Sequence, residues 1–305
     1  MIEPLRQNPK EASTSGLMTD AQKEQFHAEG YVTLPDAVTG EQLEALRGQL
    51  ADWVAESRSH TANYGECIDG RPRFDLEAGH NSTAPKLRRI NNPAEVSETY
   101  RQVAFEARTV DYVAALIGPD IKFHHCKINV KRPRSDTRVG YHQDFSYTPH
   151  TNLDLAEALL LMDDMTPENG CLRVIPGSHL EGQVSLWHGG RFTGEIEGSL
   201  LDDFERRSKS ILAPAGSVCL MHPLLMHGSD PNRSPQPRSL FICCYTAADA
   251  FPLAPSPLPN RFEGAIVRGR ASPIARLAEM SVELPDNWKS ASFFEVQGQK
   301  SASTG

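Results

Sequence analysis

No apolar run in the 305-residue chain approaches the roughly 20 residues that a membrane-spanning helix needs, which excludes a helical membrane protein. Met1 to Gly16 is polar and carries no apolar signal core, so export is not expected and the cytoplasm is the expected location. The six cysteines, at positions 67, 126, 171, 219, 243 and 244, form no Cys-x-x-Cys pair. Reduced, buried thiols are expected rather than a structural zinc or a disulfide framework. Basic charge is also in deficit. A formal net charge of −8 argues against nucleic acid as a partner, because a phosphate backbone demands a concentrated basic surface. Self-association is left open.

What remains is an ordinary globular composition, 39% hydrophobic and 23% charged, long enough for one large domain or two smaller ones. Residues 1–17 read as a disordered leader, 18–290 as one domain and 291–305 as a flexible tail. Thr19-Asp20-Ala21-Gln22 and Thr39-Gly40-Glu41-Gln42 have the spacing of capping boxes. Gly30 stops the first helix, Tyr31 to Pro35 reads as a short strand, and Leu43, Leu46, Leu50 and Val54 share one face of the second helix. Residues 59–96 are polar and turn-rich, which predicts a long loop of the kind that forms a lid. Within them, Lys86-Leu87-Arg88-Arg89 is either a solvated charge patch or a grip for an anionic substrate. One helix is expected from Ser97 to Ile117.

Alternation makes Ile121–Lys131 a strand with Phe123, His125, Lys127, Asn129 and Lys131 on one face. Such a polar face either meets solvent or lines a cavity. His124 and His125 are expected on opposite faces, so at most one would stand near a metal. Leu155 to Met162 reads as a buried strand, Asn169-Gly170 as a turn, and Cys171 to Ile175 as the returning strand. Residues 180–210 read as a loop, either a second lid or mobile surface. Beyond residue 246 the chain is proline-rich, with weak helical character from Ala265 to Met280.

The chemistry concentrates around Gly140-Tyr141-His142-Gln143-Asp144-Phe145. On a strand, side chains i and i+2 share a face, about 6.5–7 Å apart, so His142 and Asp144 converge while Gln143 faces away. They supply two thirds of the 2-His-1-carboxylate set that holds non-haem Fe(II) with open positions. A lone His-x-Asp is more often a surface pair. Downstream, an apolar run ends at His227, a turn-rich bridge follows (Gly228, Pro231, Asn232, Pro235, Pro237), and Arg238 opens a second apolar run. That is the pattern of two strands joined by a polar loop. His222 is the alternative third ligand; Pro223 directly after it disfavours a regular strand ladder there without excluding metal binding.

Taken with Glu168-Asn169-Gly170-Cys171-Leu172, Ile175-Pro176-Gly177-Ser178-His179 and His227-Gly228-Ser229, these residues resemble the phytanoyl-CoA dioxygenase family of Fe(II)- and 2-oxoglutarate-dependent oxygenases. The resemblance covers roughly residues 20–250. It implies that His142, Asp144 and His227 bind iron. It also implies that Arg238, eleven residues beyond His227, binds the C5 carboxylate of 2-oxoglutarate, with Lys127 as a second anion partner. The implied fold is α+β, a double-stranded β-helix (a jelly-roll, cupin-like core) flanked by N-terminal helices. The implied reaction, with O2 as oxidant, yields succinate and CO2 and hydroxylates an unactivated C–H bond of a small molecule. Desaturation, epoxidation and ring closure use the same machinery. With Asp144 present, hydroxylation is the default over halogenation. A cupin-like metalloenzyme without 2-oxoglutarate is the rival that Arg238 argues against. A silent binding protein would be expected to lack one of the four site residues.

Overall fold

The computed structural model describes residues 16–286 and 293–298. Both capping boxes form: Thr19 caps α1 (Asp20–Glu29) and Thr39 caps α2 (Gly40–Ser57), each exchanging hydrogen bonds with a glutamine three residues on. Gly30 ends α1 in the left-handed conformation, at φ 82°. Where one helix was expected over Ser97–Ile117 there are two, α3 (Glu98–Glu106) and α4 (Arg108–Ile117), with Ala107 extended between them. Neither Gly nor Pro marks that break. It lets Phe105 reach Phe123 and Phe262 while the apolar face of α4 lies on the same core.

The strands are β1 (Tyr31–Leu34), β2 (Tyr64–Glu66), β3 (Pro72–Leu76), β4 (Leu87–Asn91), β5 (Ile121–Lys131), β6 (Val139–His142), β7 (Leu155–Leu161) and β8 (Leu172–Val174). They continue with β9 (Trp187–His188), β10 (Arg191–Phe192), β11 (Lys209–Ser210), β12 (Val218–Met221), β13 (His227–Ser229), β14 (Arg238–Ala247) and β15 (Ile266–Arg268). The larger sheet runs β1-β12-β7-β14-β5-β4-β3-β2, with β15 paired to β5; the smaller runs β11-β8-β13-β6. The described pairings are antiparallel, and this is the expected α+β jelly-roll. Helices cover one face of the larger sheet, so its central strands are buried on both sides. Along β14, Phe241, Cys243 and Tyr245 enter the helix-side core, while Leu240 and Ile242 face the smaller sheet.

Three further expectations for local structure, over 59–96, 180–210 and 265–280, are corrected. Residues 59–96 contribute β2, β3 and β4, which extend the larger sheet. They looked like a loop because Arg73, Asp75 and Arg89, all buried, take the places that apolar residues occupy in an ordinary strand. Residues 180–210 contain the β9–β10 hairpin and α5 (Ser199–Arg207), anchored by Leu186, Phe192, Ile196 and Phe204 in a separate apolar cluster. Residues 265–280 form no helix; Ile266–Arg268 is a strand because β5 offers it an edge. Within 291–305, expected as a flexible tail, Phe293–Gly298 forms a short helix, α6. The leader expected over 1–17 falls largely outside the described residues.

Two bulges re-aim side chains toward the interior, as bulges beside functional sites commonly do. Asp75 pairs with Arg89 and Leu76 with Leu87, leaving Arg88 as the extra residue of β4. Cys244 pairs with His125 and Tyr245 with Phe123, leaving His124 as the extra residue of β5. Phe123 therefore joins the helix-side core instead of sharing a face with His125. Against expectation, His124 and His125 lie together, Nδ1 to Nδ1 at 2.6 Å.

Candidate active site

β6 ends at His142, two residues earlier than a strand through Asp144 would require. Gln143 stays extended (φ −114°, ψ 130°) and Asp144 opens a single 3-10 turn. The i, i+2 convergence survives because Gln143 keeps strand geometry. Its amide points the other way, donating to the carbonyls of Gly182 and Leu224. β13 pairs with β6 and sets His227 directly opposite His142. The donor atoms of His142, Asp144 and His227 all lie within 4.8 Å of one another.

The donor set fits a divalent metal ion. His142 Nδ1 donates to the Gly140 carbonyl at 2.8 Å, and His227 Nδ1 donates to the Leu225 carbonyl at 3.0 Å. Fixing the proton on Nδ1 leaves each Nε2 as a lone-pair donor. Nε2 of His142 lies 3.6 Å from Asp144 Oδ1, and Nε2 of His227 lies 3.5 Å from Oδ2. Burial, followed by the neighbouring His142, lowers the His227 pKa to about 4, so its imidazole is neutral near pH 7. Burial alone would raise Asp144, but His227, Lys127 and His142 together hold its carboxyl well below the usual range. Gly140 is fixed by space: a Cβ there would fall 1.7 Å from Glu195 Oε2.

These residues open onto a cavity that extends to Lys127, Asn129, Lys131, Ser229 and Arg238. Arg238 opens β14 and is buried. One terminal nitrogen donates to the Gly170 carbonyl at 2.7 Å, and Nε has no partner among the described residues. Burial lowers its pKa to about 10. Gly170 is in the left-handed region (φ 68°), and a Cβ on it would meet the Asp230 carbonyl at 2.3 Å, so the turn that braces Arg238 demands glycine. Beside Arg238 in register stands Lys131, whose Nζ donates to the Asp230 carbonyl. Burial and then Arg238 lower the Lys131 pKa to about 6. Lys127 lies farther along β5 and acts electrostatically on Asp144 and His227 rather than on Arg238.

A second, smaller compartment adjoins the first, sharing Arg89, Lys127, Asp144 and Phe293 and adding His125, Thr148 and Glu157. Burial raises the Glu157 pKa to about 7. An acid within the apolar run of β7 was a legible signal that the sequence reading passed over, and Lys131 was named only as part of a face. Phe293 had no signal: it reaches the cavity from the far end of the chain, with its ring 5.3 Å from that of His142. His222 packs instead against Phe26 and His179, beside α1, and burial takes its pKa to about 3.

A jelly-roll that gathers two imidazoles and one carboxylate at a cavity floored by buried cations defines the class of mononuclear metal oxygenases. The phytanoyl-CoA dioxygenase (PhyH) family model matches residues 26–240, and the chain belongs to that family. It is 31% identical over 217 residues to a probable alpha-ketoglutarate-dependent hypophosphite dioxygenase of Stutzerimonas stutzeri, covering 70% of this chain and 75% of that protein. It is 26% identical to the L-proline trans-4-hydroxylase of Streptomyces griseoviridis, covering 82% and 95%. The crystal structure of EctD from S. alaskensis with bound Fe superposes with a TM-score of 0.67 at 22% identity over 88% of this chain and 94% of that one, a shared fold. The protein is an Fe(II)- and 2-oxoglutarate-dependent dioxygenase that uses O2. No helix among the described residues is long and apolar enough to cross a membrane.

Proposed function

We propose that His142, Asp144 and His227 hold the Fe(II) and that Arg238, with Lys131 beside it, receives the C5 carboxylate of 2-oxoglutarate. Lys127, facing the metal ligands, meets the metal-side carboxylate. The observation that carries this reading is the pair of imidazoles whose Nδ1 protons are held by backbone carbonyls while both Nε2 atoms turn to one carboxylate. Iron bound there supplies, with 2-oxoglutarate and O2, an oxidative decarboxylation to succinate and CO2 coupled to C–H oxidation.

The protein's part is charge and placement. Two neutral imidazoles and one carboxylate leave a local charge of about +1 on Fe(II) with open positions. A dicarboxylate entering a buried cavity is expensive unless its far end is paired. The Arg238 guanidinium, permanently charged and forked, pairs it without needing a proton. The substrate is then hydroxylated, in a single oxygenase domain spanning residues 18–290 and completed by α6. The two relatives named above, on hypophosphite and L-proline by their names, support a small polar substrate. The six buried free thiols suit a reducing cytoplasm, and the net charge of −8 leaves nucleic acid outside the proposed partners.

The test is anaerobic loading with Fe(II) and 2-oxoglutarate, then exposure to O2 with succinate followed over time. Succinate that requires both additions is expected, even at the slow rate of turnover without substrate. Fully metallated protein that forms none would overturn the reading.

A further inference from the structure

The basic run Lys86-Leu87-Arg88-Arg89 is resolved residue by residue. Lys86 Nζ donates to the Ala78 carbonyl at 3.1 Å, and Leu87 is core. Arg88 binds both oxygens of Asp75 through one terminal nitrogen, at 2.9 and 3.0 Å. Arg89 is different. It is 6% exposed and lines both compartments. Nε donates to Asn91 Oδ1 at 2.8 Å, and Asn91 is braced in turn by the Pro72 carbonyl at 3.1 Å. No ion pair engages its guanidinium among the described residues. Asp75 is taken by Arg88, and Asp144 is committed to the metal centre. The Phe293 ring lies 5.6 Å from the guanidinium and covers it.

A buried guanidinium without a carboxylate is costly, and a bound anion relieves it. The cavity holds two such arginines, and 2-oxoglutarate accounts for one. Arg238 lines only the larger compartment, whereas Arg89 stands where both meet at Asp144. With Fe(II), the 2-oxoglutarate dianion and ionised Asp144 in place, and even with Glu157 ionised as well, the charges on Arg89, Lys127 and Arg238 leave a positive excess, which a neutral substrate would not offset. We propose that Arg89 binds an acid group on the primary substrate, so that the enzyme oxidises a small carboxylic or phosphonic acid; this rests on the oxygenase reading of the same cavity. Arg89 pairs in unbroken register with Asn129, which lines the same cavity, and its planar fork matches either acid.

The experiment uses full-length protein loaded anaerobically with Fe(II) and saturating 2-oxoglutarate, which blocks Arg238. Methylphosphonate and propanoate are titrated by calorimetry, each against its neutral methyl ester. One or both acids are expected to bind saturably and the esters not. Arg89→Gln should weaken acid binding roughly tenfold or more, as loss of a charge-assisted pair implies. Arg89→Lys should fall between, and Kd for 2-oxoglutarate should stay within about twofold in both variants. The two acids distinguish carboxylate from phosphonate preference. Failure of both acids to bind wild-type protein, equal binding of the esters, or indifference to Arg89→Gln each overturns the proposal. The ester comparison needs no variant and so survives a folding defect. If the wild type binds 2-oxoglutarate but neither acid, the Arg89 proposal alone falls. If it binds no 2-oxoglutarate, the oxygenase reading falls and takes the proposal with it.

Discussion

At the scale of single residues, function turns on which buried charges have partners. Arg238 keeps one carbonyl contact and an unpartnered Nε. Arg238→Gln should raise KM for 2-oxoglutarate about 10- to 100-fold, the range for a lost charge-assisted hydrogen bond. Steady-state succinate formation at varied 2-oxoglutarate checks it, and an unchanged KM reassigns the residue. Asp144→Ala should abolish iron-dependent turnover, a larger loss than the roughly 10- to 100-fold that follows from removing an outer hydrogen-bond partner of a metal ligand. Metal content and succinate measured together decide this, and full activity removes Asp144 from the metal set. His142, Asp144, His227 and Arg238 were named through the family resemblance that their motifs carry together. Arg89 and Lys131 were not legible, since a charged residue in a sequence carries no mark of whether its strand face is wet or enclosed.

At the scale of elements, local signals worked where they act locally. Both threonine caps formed as spaced, because a capping box closes within four residues. Thr39→Ala should destabilise the protein by about 1 kcal/mol, measurable as a lowered urea midpoint. No change would mean that tertiary packing alone holds the start of α2. The bulges at Arg88 and His124 were invisible, because alternation presumes an unbroken register. A bulge is imposed by the partner strand. The same holds for the break at Ala107 and for β15, whose strand character comes from the edge that β5 presents.

At the scale of the whole molecule, buried imidazoles set the response to pH. Burial lowers the pKa of His124 and His222 to about 3 and of His150 and His227 to about 4. Folded values below the unfolded one mean that acid protonates the unfolded chain first. Their contribution is therefore intact above the unfolded pKa of about 6.5 and is lost as pH falls from there toward about 3. Urea unfolding of metal-free protein at pH 7.5, 6 and 5 should give steadily falling midpoints. A flat profile would place these side chains in contact with water.

By itself the sequence determined the starts of α1, α2 and α3, the buried strands β5, β7 and β14, the family resemblance and, through it, the four residues proposed to hold metal and cosubstrate. All of these rest on short-range periodicity or on spacing along the chain. Only the tertiary structure decided that β6 and β13 face each other and bring His142 against His227. Only there does the far end of the chain set Phe293 over Arg89, and does Arg89 stand in a cavity rather than in solvent. Those outcomes depend on pairing between distant segments and on which side of a sheet is closed off from water, and neither is written in the order of neighbouring residues.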